Sequence, residues 1–201
     1  MATENVVVVR FTEPSKAYQA LSVLRERDAD GSIGLESAAI VERTATGELR
    51  IPESSDNVGL VGTASGSLIG MLVGVLGGPV GALLGWGAGA IMGGAFDVDR
   101  AVTSDEALTV LGQAIPPEST AVIASVEEPT VEVIDGEMTK LDGEVTRRPV
   151  AEVMAELEAT EDAAAAAAHE ARRALLEQRK AELNAGVEER VGNLKEKLHA
   201  S

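Results

Sequence analysis

The chain has 201 residues with 33 acids against 17 bases, a formal net charge of -16, and no cysteine. That acidic surplus argues against nucleic acid and against anionic lipid headgroups as electrostatic partners, since both attract excess Lys and Arg. Without cysteine there are no disulfides, thiolate metal sites or cysteine nucleophiles. The length accommodates one compact domain with appendages.

The start, MATENVVVVRF, places an acid before a short β-branched run, which is not the basic-then-apolar order of a secretory signal. Val6 to Phe11 suits a strand buried on both faces. Ser15 to Arg27 follows with Ala17, Ala20, Leu21 and Leu24 at helical spacing, and Gly31 and Gly34 supply the stop. Leu35 to Thr44 resumes a strand pattern, closed by a turn at Ala45 to Glu48. Residues 1–56 therefore read as strand, helix, strand, the first half of a split domain.

Residues 57–96 form a different kind of segment: forty residues without a formal charge. Glycines recur at Gly62, Gly66, Gly70, Gly74 and Gly78, and after Pro79 at Gly81, Gly85, Gly89 and Gly93. Helices over Val58 to Gly77 and Val80 to Ala95 would be about 30 Å and about 24 Å long, joined by a turn at Gly77, Gly78 and Pro79. The first length matches a hydrocarbon core of roughly 30 Å. Glycine at every fourth position leaves a helix face on which backbones approach closely, the packing used between helices in lipid. In water each such glycine costs up to about 1 kcal/mol of helix propensity. The nine glycines are thus the candidate packing residues, and the apolar side chains between them are free to face lipid or another subunit. The flanks, with Glu53, Asp56, Asp97 and Asp99 against Arg50 and Arg100, carry no positive-inside bias, and Trp86 sits mid-helix, away from an interfacial belt.

Residues 97–149 return to a soluble pattern. Thr103 and Glu106 have capping-box spacing ahead of a short helix with Leu108, Val110 and Leu111. Ser119 to Val126 reads as a strand. Pro129 suits a first helical turn, Val131, Ile134, Met138 and Leu141 recur at helical spacing, and Gly143 to Arg148 reads as a closing edge strand. The sum is an α+β, ferredoxin-like split βαβ domain, four strands with two helices on one face, carrying an inserted glycine-zipper hairpin.

Residues 150–201 form a charged, alanine-rich helical tail, with alanine from 163 to 168 and no glycine before Gly186. Leu183, Val187, Val191, Leu194 and Leu198 lie along one drifting stripe. Sustained heptads are absent, so a solvated helix and a coiled coil are both open.

Several stretches carry a resemblance: VVVVRF, DGSIGLESAAIVERTATGELRI, the run from GTASG through GGPVGALLGWGAGAIMGG, then ESTAVIASVE and GEVTRRPV. Over about residues 5–150 the chain resembles a family of bacterial predicted membrane proteins still called a domain of unknown function, with the tail outside the resemblance. The resemblance implies a membrane location and a βαβ, hairpin, βαβ shape, and it brings no activity and no catalytic residues.

Reactive constellations are missing from the pattern. His169 and His199 both stand in the polar tail without a partner at i+4. Gly85, Gly87 and Ala90 match a dinucleotide fingerprint by position but no strand feeds them, and Ser65 and Ser67 lack a nearby base. Glu156, Glu158, Glu161 and Asp162 read as solubilising charge. No catalytic, cofactor, metal or small-molecule site is therefore expected. The expected function is non-enzymatic: a membrane-associated homo-oligomer whose hairpins pack as a scaffold or pore, with head and tail on the cytoplasmic side. The alternative is a cytoplasmic, soluble self-assembling particle or filament with the hairpins as buried interface.

Overall fold

The computed structural model describes residues 3–52, 60–61, 68–78 and 106–199. Chain order is β1 (Thr3–Phe11), α1 (Pro14–Ala29), β2 (Gly34–Arg43), β3 (Leu49–Arg50), β4 (Leu60–Val61), α2 (Leu68–Gly77), α3 (Ala107–Gln113), β5 (Ser119–Glu128), α4 (Glu132–Lys140), β6 (Glu144–Pro149) and α5 (Val150–His199). The sheet is antiparallel with order β3-β2-β5-β1-β6, and β4 pairs with β2 beside β3. The four long strands, in the order β2-β5-β1-β6, give the α+β, ferredoxin-like arrangement expected from the sequence.

Period-two alternation divides each central strand between two cores. Val7, Val9 and Phe11 point to one face, where Ala17, Ala20, Leu21 and Leu24 of α1 and Ile134 and Met138 of α4 cover them. Val6 and Val8 point to the other face, with Ala39, Val41, Ala121 and Ile123. That second face is covered by α2, α3 and the start of α5, through Ile69, Leu72, Leu76, Leu108, Leu111, Val153 and Leu157. α1 ends as its sequence predicts: Gly31, at φ +75°, takes the left-handed conformation that a side chain disfavours.

Three expectations change. The helix placed over Val58 to Gly77 is shorter, because Leu60 and Val61 are extended and pair with Ala39 and Ala38 of β2. α2 begins at Leu68 and has 10 residues, about 15 Å of helix. Among the described residues, no helix is long and apolar enough to cross a membrane. Second, Glu106 is the N-cap residue of α3 rather than the third residue of a capping box, and its side chain makes no capping bond. Third, α4 begins at Glu132, so Pro129 lies ahead of its first turn. Pro79, the second hairpin helix and Thr103 lie outside the described residues.

The chain divides into two compact units, residues 1–157 and 158–201. The second unit starts eight residues beyond the expected start of the tail, because Val153 and Leu157 of α5 are buried in the first unit's core. The second unit is helical from Glu158 to His199.

Candidate functional site

α2 is the longest described part of the glycine-rich segment, and its two faces have different fates. Ile69, Leu72 and Leu76, at spacings of three and four, form one stripe and are 3%, 0% and 2% exposed. They enter the sheet's second core beside Leu49, Leu108 and Leu111. Burial of each such side chain is worth about 1.5–3 kcal/mol of transfer free energy. These residues therefore serve the fold of their own chain, which corrects the expectation that they are free for lipid or another subunit.

Gly70 and Gly74 lie on the opposite, exposed face of α2. A Cβ built at Gly74 would meet nothing within 4 Å. The glycines in close contact lie outside the four-residue ladder or at its end. A Cβ at Gly77 would stand 3.2 Å from both the Cβ and the carbonyl oxygen of Leu49, so a side chain there would press the end of α2 a few tenths of an ångström away from β3. At Gly78 a Cβ would stand 2.7 Å from the Gly74 carbonyl oxygen. Gly112 of α3 admits the Leu76 side chain, whose Cδ2 would be 3.4 Å from a Cβ there. Gly62, Gly66, Gly81, Gly85, Gly89 and Gly93 lie outside the described residues, as do Ser65, Ser67, Gly87 and Ala90.

The polar features of the first unit are structural in character. Glu156, read from sequence as solubilising charge, is part-buried and accepts hydrogen bonds from the Ala107 and Leu108 amides at 2.6 and 2.8 Å. At one end of the sheet, Glu128, its side chain 1% exposed, accepts from Asn5 Nδ2 and Arg147 Nε, both at 2.9 Å. Arg147 also donates to Asp135 of α4 at 2.7 Å. Burial works against the Arg147 charge, but the Asp135 hydrogen bond and the Glu128 carboxylate outweigh it and hold the guanidinium above its ordinary value. Arg43, buried in β2, donates to the Gly47 carbonyl at 3.1 Å, and burial pushes its guanidinium below the ordinary value. Asn5, Arg43, Glu128, Asp135 and Arg147 were not picked out from sequence, since polar residues at strand and helix ends read as surface until their partners are known.

Among the described residues no group of three or more His, Cys, Asp or Glu is placed to hold a metal ion. A cleft of about 230 Å³ is lined by Arg10, Gln113, Ala114, Pro116, Glu144 and Thr146. Its charged members, Arg10 and Glu144, are paired with each other. His169 is exposed on α5.

The family model described as "Protein of unknown function (DUF1269)" matches residues 63–178, more than half of the chain. The chain belongs to this family. The DUF1269 match begins inside the glycine-rich segment and takes in α2, α3, β5, α4, β6 and the first part of α5. It therefore extends into the tail, which sequence reading had left outside the resemblance, and omits the first βαβ, which that reading had included. No curated protein and no solved structure matches the chain.

Proposed function

We propose that this DUF1269 chain is a non-enzymatic structural protein that self-associates through its glycine-rich segment. The observation that carries the proposal is the outward face of α2, where Gly70 and Gly74 are exposed and a Cβ at Gly74 would meet open space. The core has no use for glycine on that face, and glycine there costs helix propensity. Close approach of another helix is the return that offsets the cost.

Two environments could take up the forty uncharged residues of 57–96. In the first, copies pack side by side in a bacterial cell membrane as a scaffold or pore, with the remaining units on the cytoplasmic side. The uncharged run supports that reading. In the second, the segments are buried between copies in a soluble particle or filament. The docking of Ile69, Leu72 and Leu76 on their own sheet favours the second, because insertion of α2 would strip the cover from Val6, Val8 and Ile123.

The test is flotation of native lysate through a density gradient after an alkaline wash, for the wild type and for Gly74→Leu. Self-association predicts that Gly74→Leu loses the large species while its head domain stays folded by circular dichroism. An unchanged oligomer would overturn the proposal. Wild type rising with lipid would select the membrane form, and a uniform dense species would select the soluble one.

A further inference from the structure

β6 ends the sheet on the side away from β3, and among the described residues no strand lies along its outer edge. The opposite edge, on β2, carries β3 and β4. An open edge presents a row of backbone amides and carbonyls that another strand can complete. Bulges commonly spoil such an edge, but β6 pairs with β1 in unbroken register from Glu144 to Pro149. Its charges are of both signs, with Glu144 at one end and Arg147 and Arg148 at the other.

Residues opposite one another in an antiparallel pair share a face, so the register with β1 assigns each side chain of β6. Glu144, Thr146 and Arg148 stand opposite Arg10, Val8 and Val6, on the face that α3 covers. Val145 and Arg147 lie on the other face, where Arg147 is committed to Glu128 and to Asp135 of α4. Arg148 has no such partner: its Nε is buried without a hydrogen bond, and no described carboxylate pairs with it. Glu144 is paired with Arg10 of its own chain but its side chain is 68% exposed, which leaves it open to a second cation. Within one strand Glu144 and Arg148 are about 13 Å apart and cannot meet.

Two copies of β6 joined edge to edge by a two-fold axis run antiparallel, and the axis falls where one residue stands opposite itself. Centred on Val145, Glu144 would face Thr146, and Arg147 would face Gly143, of the second copy. Centred on Arg147, the two Arg147 side chains would face each other, which like charge disfavours. Centred on Thr146, the pair overlaps over all of residues 144–148 and sets Glu144 opposite Arg148 of the second copy, on one face, twice. Only this last register gives the partnerless guanidinium a carboxylate.

We infer that β6 is a homodimerisation edge, pairing antiparallel with β6 of a second copy about a two-fold axis at Thr146, with Glu144 and Arg148 as the matching charges between copies. This edge is separate from the glycine face of α2, and either can hold if the other fails.

The chain has no cysteine, so single cysteines in the full-length protein report the geometry without background. Under mild oxidation Thr146→Cys gives a disulfide-linked dimer, its two Cα atoms lying about 5 Å apart across the axis. Pro149→Cys does not, since its two copies are about 20 Å apart along the antiparallel pair. In the Thr146→Cys chain, adding Glu144→Arg or Arg148→Glu raises the protein concentration at half-maximal crosslinking roughly tenfold, because each puts like charges opposite one another twice. Mixing the two charge variants in equal amounts restores it, since every pair between unlike copies is then complementary. Loss of the Arg10 contact within the Glu144→Arg chain is the same alone and mixed, so recovery on mixing reads the contact between copies. Thr146→Cys remaining monomeric would overturn the inference, as would its crosslinking to a different protein instead. So would Pro149→Cys crosslinking as readily as Thr146→Cys, or failure of the mixture to recover. Running Thr146→Cys in a Gly74→Leu background separates the two surfaces: crosslinking that survives there belongs to β6 alone.

Discussion

The carboxylate of Glu156, on α5, accepts the amide of Ala107 at 2.6 Å, closing the N-terminus of a helix 49 residues earlier in the chain. Its second oxygen accepts the Leu108 amide at 2.8 Å. The first amides of a helix have no partner within it, and Glu106, the N-cap residue of α3, makes no capping bond with its side chain. A carboxylate there also meets the positive end of the helix dipole. Glu156→Ala is therefore expected to destabilise the first unit by about 1–2 kcal/mol, and Glu156→Gln by less, since an amide oxygen still accepts one bond. Urea unfolding of the three proteins checks this, and a Glu156→Ala midpoint equal to wild type would refute the cap.

Lys16 donates to Asp142 at 2.6 Å, tying the start of α1 to the turn after α4. The hydrogen bond, with the attraction beside it, lowers the Asp142 pKa from its usual 3.8 and raises that of Lys16 from 10.5. A depressed carboxylate contributes stability above its unfolded pKa and loses it as pH falls through the folded one. A raised lysine contributes below its unfolded pKa and loses it as pH rises through the folded one. The pair thus contributes in full between about pH 4 and about pH 10 and fades beyond that window as pH passes each folded value. Both groups are solvent-facing, so the effect is small and screened by salt. Lys16→Gln is expected to lower Tm slightly at about pH 7, with the difference shrinking as pH falls below about 4 and in about 1 M salt. A difference that persists at acid pH would assign the loss to packing of the lysine stem.

The strand and helix pattern of the ferredoxin-like half was legible because its periodicities are clean: Val6 to Phe11 alternates between two cores, and Ala17, Ala20, Leu21 and Leu24 line one helix face. What sequence reading missed was the cover of the second sheet face. A strand buried on both sides needs two layers, yet two helices on one face leave Val6 and Val8 bare, and that mismatch was the available signal. The cover comes from Ile69, Leu72 and Leu76, which a uniformly apolar segment hides: where every position is apolar, periodicity does not reveal which stripe is buried. Leu60 and Val61 were hidden likewise, since a short apolar run reads equally as helix or strand. The role of Glu156 was illegible because its partners are amides about 49 residues away.

At the sheet end, Arg147 neutralises Glu128, whose side chain is 1% exposed. Removing the cation alone leaves a buried carboxylate held by Asn5. Arg147→Met is therefore expected to cost about 3 kcal/mol or more, whereas Glu128→Met with Arg147→Met together costs less than Arg147→Met alone. A double-mutant cycle by denaturant unfolding measures the coupling. Additive losses would mean that Arg147 acts through its stem and not through its charge.

Leu72 and Gly74 sit two residues apart on opposite sides of α2, so their substitutions should move stability in opposite directions. Leu72 is fully buried, and Leu72→Ala removes contacts from a closed core at a cost of about 2–5 kcal/mol. Gly74→Ala adds a methyl group into open space on a helix, where alanine gains up to about 1 kcal/mol over glycine. Thermal unfolding of both variants at low protein concentration, where copies are apart, isolates these effects from assembly. If α2 lay with its glycine face on the sheet, Gly74→Ala would destabilise and Leu72→Ala would be near neutral. The signs of the two shifts thus report which face of the glycine-rich helix the core has taken and which it leaves for a partner.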